Sequence, residues 1–73
     1  MKRAFMAFIQ KDPKSNLYYG IVPGVPGAYT QAQSLEELRE NLKEVLELCL
    51  KEYEVPLDEL PKFIGIQQIE VDL

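Results

Sequence analysis

The sequence contains no histidine, no tryptophan and only one cysteine. Without histidine the chain lacks the usual general base near neutral pH, the central member of a catalytic triad and a common zinc ligand. Cys49 falls on the apolar stripe of a predicted helix, far from the helix N-terminus that would activate a thiol, so we assign it a structural role. The sequence therefore predicts a protein that is not an enzyme and that holds no cofactor or metal.

A single cysteine also excludes an intramolecular disulfide, and a reducing compartment is the simpler expectation. No window approaches the roughly 20 apolar residues that cross a bilayer, and the apolar run AFMAFI is too short for a signal peptide. We therefore predict a cytoplasmic protein without membrane contact.

Positive charge is the scarcer sign, because eight Lys and Arg face twelve Asp and Glu, for a net charge of −4. This balance repels a phosphate backbone, so no direct nucleic-acid binding is expected even though three tyrosines could stack on bases. A basic protein is the more natural charged partner, although modest acidity is also ordinary in soluble proteins. The carboxylates of the predicted helix are most simply a solvated face.

The 73 residues predict a single domain, residues 1–73, which begins with three strands. Residues 3–10 are apolar at almost every position and predict a strand buried on both faces. A polar turn leads to a second strand at 17–22, which makes a hairpin, and 28–32 form a short third strand.

Two Pro-Gly pairs, Pro23-Gly24 and Pro26-Gly27, separate the second strand from the third. In each pair proline fixes φ near −65° and glycine accepts a positive φ, as a type II turn requires. The spacing G-x-x-G precedes a strand rather than a helix, which favours a rigid corner over a phosphate site.

A helix is predicted to start at Ser34, whose hydroxyl can cap a free N–H while Glu37 reaches back to complete a capping box. Pro56 ends the pattern, and the linker 54–62 is expected to hold one further turn. The predicted buried stripe of the helix consists of Leu35, Leu38, Leu42, Val45, Leu46, Cys49 and Tyr53.

The end of the chain turns apolar again, and we predict a fourth strand there. The alternation of apolar residues in this strand is interrupted, since Ile64 and Ile66 share one strand face whereas Ile69 and Val71 share the opposite one. A bulge near Gln67, or a strand that begins only there, would resolve the conflict.

These elements predict an α+β fold: a two-layer β-β-β-α-β arrangement with a mainly antiparallel four-stranded sheet in the order 3-2-1-4 and one helix on one face. The other face would carry apolar side chains from both strands of the hairpin, too many to leave in water. A second copy or another protein should cover it, so we predict a homodimer or higher homo-oligomer.

The run YYGIVPGVPGAYTQAQSLEELRENLKEVLELCL, residues 18–50, resembles the core motif of the HicB-like antitoxins. The end PKFIGIQQIEV looks like the tail of the short, single-domain members, which lack the C-terminal DNA-binding domain of their relatives. One departure is Ala32-Gln33, where the motif has Gly-Asp. The matching positions are Tyr19, Val22, Pro23, Pro26, Gly27, Thr30, Gln31, Ser34, Glu36, Glu37 and Asn41.

The resemblance implies a partial ribonuclease H-like sheet without catalytic carboxylates, and an antitoxin that binds and neutralises a small basic HicA-type mRNA ribonuclease. The alternative is a stand-alone homo-oligomeric module that binds a protein or a small ligand without catalysis. We expect the partner to dock on the corner and the third strand, although Tyr29 could instead be a core residue. The predicted partner-binding residues are Tyr19, Pro23, Gly24, Pro26, Gly27, Tyr29 and Gln31.

Overall fold

The computed structural model describes residues 3–73 and confirms a small α+β fold in which three strands precede one helix. A short 3-10 turn follows in the linker, as predicted. The elements are β1 (Phe8–Lys11), β2 (Tyr18–Ile21), β3 (Tyr29–Ala32), α1 (Leu35–Glu52) and the 3-10 turn Leu57–Glu59.

The sheet is an antiparallel meander in the order β1-β2-β3. The predicted fourth strand is not confirmed, because residues 61–73 adopt no regular secondary structure. Its sequence gives two reasons. The apolar residues before the Gln67-Gln68 pair would lie on one face of a strand and those after it on the other face. In addition, Gly65 has no side chain to pack and leaves the backbone flexible.

The hairpin turn between β1 and β2 is built on Asp12. Its carboxylate accepts the Ser15 N–H at 3.0 Å, and the Asp12 carbonyl accepts the N–H of Asn16, which has φ 65°. Hydrogen bonds from Ser15 hold the pKa of the Asp12 carboxyl below its usual range. The prediction that β1 is buried on both faces was wrong, since the side chains of Phe8 and Ile9 are about half exposed.

The Pro-Gly corner consists of two consecutive turns, and both glycines have positive φ, 86° at Gly24 and 78° at Gly27. The Val25 N–H donates to the Val22 carbonyl at 3.4 Å across the first turn, and the Ala28 N–H donates to the Val25 carbonyl at 3.2 Å across the second. The Val22 N–H closes the corner by donating to the Ala28 carbonyl at 2.8 Å. The two predicted Pro-Gly turns, with a positive φ at each glycine, are confirmed.

Helix α1 starts as predicted, with the Ser34 hydroxyl accepting the Glu37 N–H at 3.1 Å. The Glu37 carboxylate reaches back one residue further than a capping box requires and accepts the Gln33 N–H at 3.4 Å. The predicted stripe was wrong at both ends, because Leu35 and Tyr53 are more than half exposed.

The core lies between α1 and the helix-facing side of the sheet. One cluster joins Val22, Val25 and Ala28 to Cys49, which confirms a buried position for the single thiol. The sheet and helix approach so closely that a Cβ on Gly20 would lie 2.8 Å from Leu42 Cδ1. The second cluster consists of Ala32, Leu38 and Leu42.

Beyond this core the chain is elongated. The radius of gyration is 14.1 Å and the longest dimension 45 Å, whereas a compact chain of this length has a radius of about 11 Å. Within residues 3–73, no helix combines the length and apolar character that crossing a bilayer requires.

Candidate protein-binding face

The side of the sheet that faces away from α1 forms a surface of two cross-strand rows, which we call the open face. One row is apolar and follows the register Phe8–Ile21–Tyr29, and the other is polar and follows Gln10–Tyr19–Gln31. All six residues are exposed. Directly opposed side chains in a sheet lie about 5 Å apart, so each row presents a continuous strip to a partner.

The polar row is held by a hydrogen bond between strands. The Tyr19 hydroxyl donates to Gln10 Oε1 at 2.9 Å, which ties the ring of β2 to the neighbouring strand β1. An ordered ring loses less conformational entropy when a partner binds. The open face is thus both apolar and partly preorganised.

The open face contains three of the seven predicted partner-binding residues. Tyr29 has 65% of its surface exposed, Tyr19 has 41%, and Gln31 pairs in register with Tyr19. The alternative that Tyr29 belongs to the core was wrong for this chain. These three side chains could contact one partner together.

The other four predicted residues, at the corner, lie beyond the strand ends and support the fold. A Cβ on Gly24 would lie 2.8 Å from Pro61 Cδ and 2.9 Å from Leu60 Cδ2, and one on Gly27 would lie 3.3 Å from Cys49 Sγ. The corner therefore packs against the linker and the helix on its inner side. Its exposed side borders the open face without belonging to it.

Sequence reasoning assigned no binding role to three residues of the open face, Phe8, Gln10 and Ile21. The signal that could have identified them is the hairpin register. Each pair between β1 and β2 joins an even-numbered residue to an odd-numbered one, as Phe8 pairs with Ile21, whereas pairs between β2 and β3 keep the same parity. The open face thus shows even-numbered residues of β1 but odd-numbered residues of β2 and β3, a detail set by the length of each turn.

Next to the open face, a mostly apolar groove of about 360 Å³ lies between residues 3–8, which lead into β1, and residues 57–63. The rings of Phe8 and Phe63 meet edge to face across it, with centroids 6.2 Å apart. Arg3 also lines the groove, and its guanidinium lies over the Phe5 ring and donates to the Leu57 carbonyl at 2.9 Å. The groove continues the apolar row of the open face towards the C-terminal segment.

The charged residues lie elsewhere. The acidic side chains Glu36, Glu40, Glu44 and Glu47 are exposed on α1, on the opposite layer from the open face. Within the part of the chain that the structure describes, no three His, Cys, Asp or Glu side chains are grouped closely enough to hold a metal ion. The arrangement offers an uncharged contact surface with an acidic layer behind it.

Comparison with known proteins assigns a family. A UPF0150-like family model matches residues 1–51. A UPF0150 protein of Thermotoga maritima is 46% identical over 72 residues, which cover 99% of this chain and 95% of that protein. One from Synechocystis is 40% identical, covering 96% of this chain and 97% of that protein, and one from Archaeoglobus fulgidus is 43% identical, covering 92% and 93%. No solved structure matches. The chain belongs to the UPF0150-like family.

Proposed function

We propose that this protein is an antitoxin of the HicB-like type, whose open face binds and neutralises a small basic ribonuclease of the HicA type. The observation that carries the proposal is the open face itself. Phe8, Ile21 and Tyr29 form an exposed apolar row, and the adjoining polar row holds no charge. Neighbouring exposed aromatic and aliphatic side chains are typical of protein-binding surfaces.

The charge distribution supports a basic partner. The net charge is −4, and the carboxylates of α1 lie one layer behind the open face. The screening length is about 8 Å at physiological salt, so carboxylates in the layer behind the open face attract a basic protein only weakly. In this proposal the uncharged open face provides the binding affinity, and the acidic helix speeds the approach of a basic partner.

Neutralisation of this kind requires no chemistry from the chain. A bound protein that covers an RNA-binding surface blocks the toxin by occupying it, which is the role that the resemblance to the HicB-like antitoxins implies. Tyr29 is the proposed principal contact because its large ring is the most exposed of the apolar row, and Tyr19 and Gln31 add polar contacts. The same resemblance implies a ribonuclease H-like sheet, which a fourth strand beside β1 would complete.

The groove beside β1 favours a second candidate, a stand-alone module that binds a small apolar ligand or another protein. Its volume of about 360 Å³ is at the lower end of ligand pockets, and Phe8 and Phe63 line it. This candidate requires no toxin partner. The two functions predict different sensitive surfaces. Substitutions on the open face should impair antitoxin binding, whereas substitutions in the groove should impair the stand-alone module.

Growth rescue tests the proposal. A HicA-type ribonuclease from the organism of origin is expressed with the intact chain, with Tyr29→Ala or with the matched control Tyr53→Ala. Tyr53 is also about half exposed but lies at the C-cap of α1, outside the open face. We expect rescue by the intact chain and by Tyr53→Ala, and much weaker rescue by folded Tyr29→Ala. No rescue by the intact folded chain, with no complex in a pull-down, would favour the stand-alone module.

A further inference from the structure

We propose that residues 63–73, here called the tail, pair as an additional strand with the free edge of β1 in a second copy, so that two copies exchange tails. The inference goes beyond the proposed function and does not depend on it. The tail and the β1 edge lie beside the open face, so the exchange leaves Tyr29 free for another partner.

The tail is unusually apolar for an exposed segment. Ile64 is 90% exposed and Ile66 is 92% exposed. Single exposed apolar side chains are normal on a protein surface, but five within 11 residues are not, and a segment rich in β-branched residues is prone to pair with another strand. The exposed large apolar side chains after Phe63 are Ile64, Ile66, Ile69, Val71 and Leu73.

The edge that matches the tail is the outer side of β1. Within residues 3–73, the sheet order β1-β2-β3 places no strand beside that edge, whose backbone N–H and C=O groups are a template for another strand. β3 has a free edge too, but the tail begins at Phe63, whose ring packs on Phe8 of β1. The chain therefore enters the tail from the β1 side of the molecule.

Charge also pairs the tail with β1. The tail contains Glu70 and Asp72 and no Lys or Arg. Lys11 lies at the end of β1 and Lys14 just beyond it. These two basic residues lie near the acidic end of the tail when the tail runs parallel to β1.

We assign the tail to the β1 edge of a second copy because the tail after Phe63 does not pack against the rest of its own chain. After the Phe8–Phe63 contact the tail is exposed, and the radius of gyration of 14.1 Å reflects a chain that does not close on itself. Every copy carries both the tail and the edge, so one two-fold axis satisfies both exchanges and closes the assembly. Each copy contributes its 11-residue tail and the four residues of β1, about 15 residues, so the exchange forms a smaller interface than the roughly 20–30 residues a side of a standard one.

The first test is the assembly state by sedimentation equilibrium, in the absence of any toxin. The intact chain should sediment at twice its 8.4 kDa mass at micromolar concentration. Ile66→Lys should raise the dimer dissociation constant ten-fold or more while circular dichroism shows an unchanged fold, because Ile66 is exposed in the single chain. The control Gln67→Lys adds the same charge next to it and should raise the constant less. An intact chain that is monomeric, or a dimer that Ile66→Lys leaves unchanged, overturns the proposal.

A second measurement locates the tail. Dimers reassembled from isotope-labelled and unlabelled chains should give intermolecular nuclear Overhauser effects between tail protons of one copy and β1 protons, Phe8–Lys11, of the other. Effects confined to a single chain would show that the tail pairs within its own molecule. Intermolecular effects only at Ile21 and Tyr29 would show that the copies meet through the open face. Either result overturns the exchange, and the second would also show that the copies compete with a toxin for the open face.

Discussion

Gly24 and Gly27 both hold positive φ, but their surroundings differ. A Cβ on Gly24 would lie within 3 Å of both Pro61 and Leu60, whereas one on Gly27 would meet only Cys49 Sγ, at 3.3 Å. A left-handed conformation costs a non-glycine residue about 1–2 kcal/mol, and the contact at Gly24 adds to that cost.

We therefore expect Gly27→Ala to lower the free energy of unfolding by about 1 kcal/mol and Gly24→Ala to lower it more. Urea denaturation of the two variants and the parent chain measures both losses. Equal losses would mean that the linker at Leu60 and Pro61 does not pack on the corner in solution.

The individual residues of the open face show how far sequence alone reaches. Tyr19, Tyr29 and Gln31 were predicted from motif and composition, and the structure brings them together on one face. Phe8 and Ile21 were not assigned to the site, because the face on which a strand residue lies depends on hairpin register and not on the residue itself. The corner residues were assigned to binding although their glycines mainly shape the backbone.

At the scale of elements, α1 depends on its N-terminal cap. The Ser34 hydroxyl accepts the Glu37 N–H at 3.1 Å, one of the four donors that a helix start leaves unpaired. Ser34→Ala should therefore lower the free energy of unfolding by about 1 kcal/mol.

Gln33→Ala is the matched control for the cap. It keeps the backbone N–H that donates to the Glu37 carboxylate and removes only an exposed side chain, so its effect should stay within about 0.5 kcal/mol. Thermal denaturation of Ser34→Ala, Gln33→Ala and the parent chain measures both changes in stability. Equal stability of Ser34→Ala and the parent chain would contradict the assigned helix start.

The helix start and the limits of the second and third strands were predictable because their signals are local, such as Ser34 before the helix and the prolines of the corner, whereas the first strand was predicted from residue 3 and begins only at Phe8. The set of buried helix residues was harder to predict. α1 has 18 residues and is about 27 Å long, whereas four-residue strands span about 13 Å. The helix therefore overhangs the sheet, and Leu35 and Tyr53 at its ends stay exposed although they continue the apolar period.

For the whole molecule, the fourth strand was the main expectation that the structure does not confirm. Composition predicted it from an apolar, β-branched segment, yet the tail does not pair with the free edge of β1 in its own chain, and that pairing is not a local property of the tail. Exchange of tails between copies would account for both the strand-like sequence of the tail and the absence of a fourth strand in the single chain. In the proposed exchange the tail forms a strand on the β1 edge of another molecule.

Acidic residues of α1 should affect how fast a basic toxin binds rather than how fast it dissociates. Reversal of charge in Glu40→Lys/Glu44→Lys should lower the association rate several-fold at low salt, with the dissociation rate nearly unchanged, because both residues lie away from the open face. Stopped-flow kinetics at increasing salt measures the effect, which should fade as screening grows. A change mainly in the dissociation rate would place the helix inside the interface.

The most direct test of the central claim is calorimetric titration of the chain with a catalytically inactive HicA-type ribonuclease. The account predicts a defined complex with the intact chain, at least ten-fold weaker binding by Tyr29→Ala, equivalent to about 1.4 kcal/mol, and unchanged binding by Tyr53→Ala. Binding that Tyr29→Ala leaves unchanged would contradict the open face as the binding surface. The absence of any binding by the folded intact chain would contradict the antitoxin function itself.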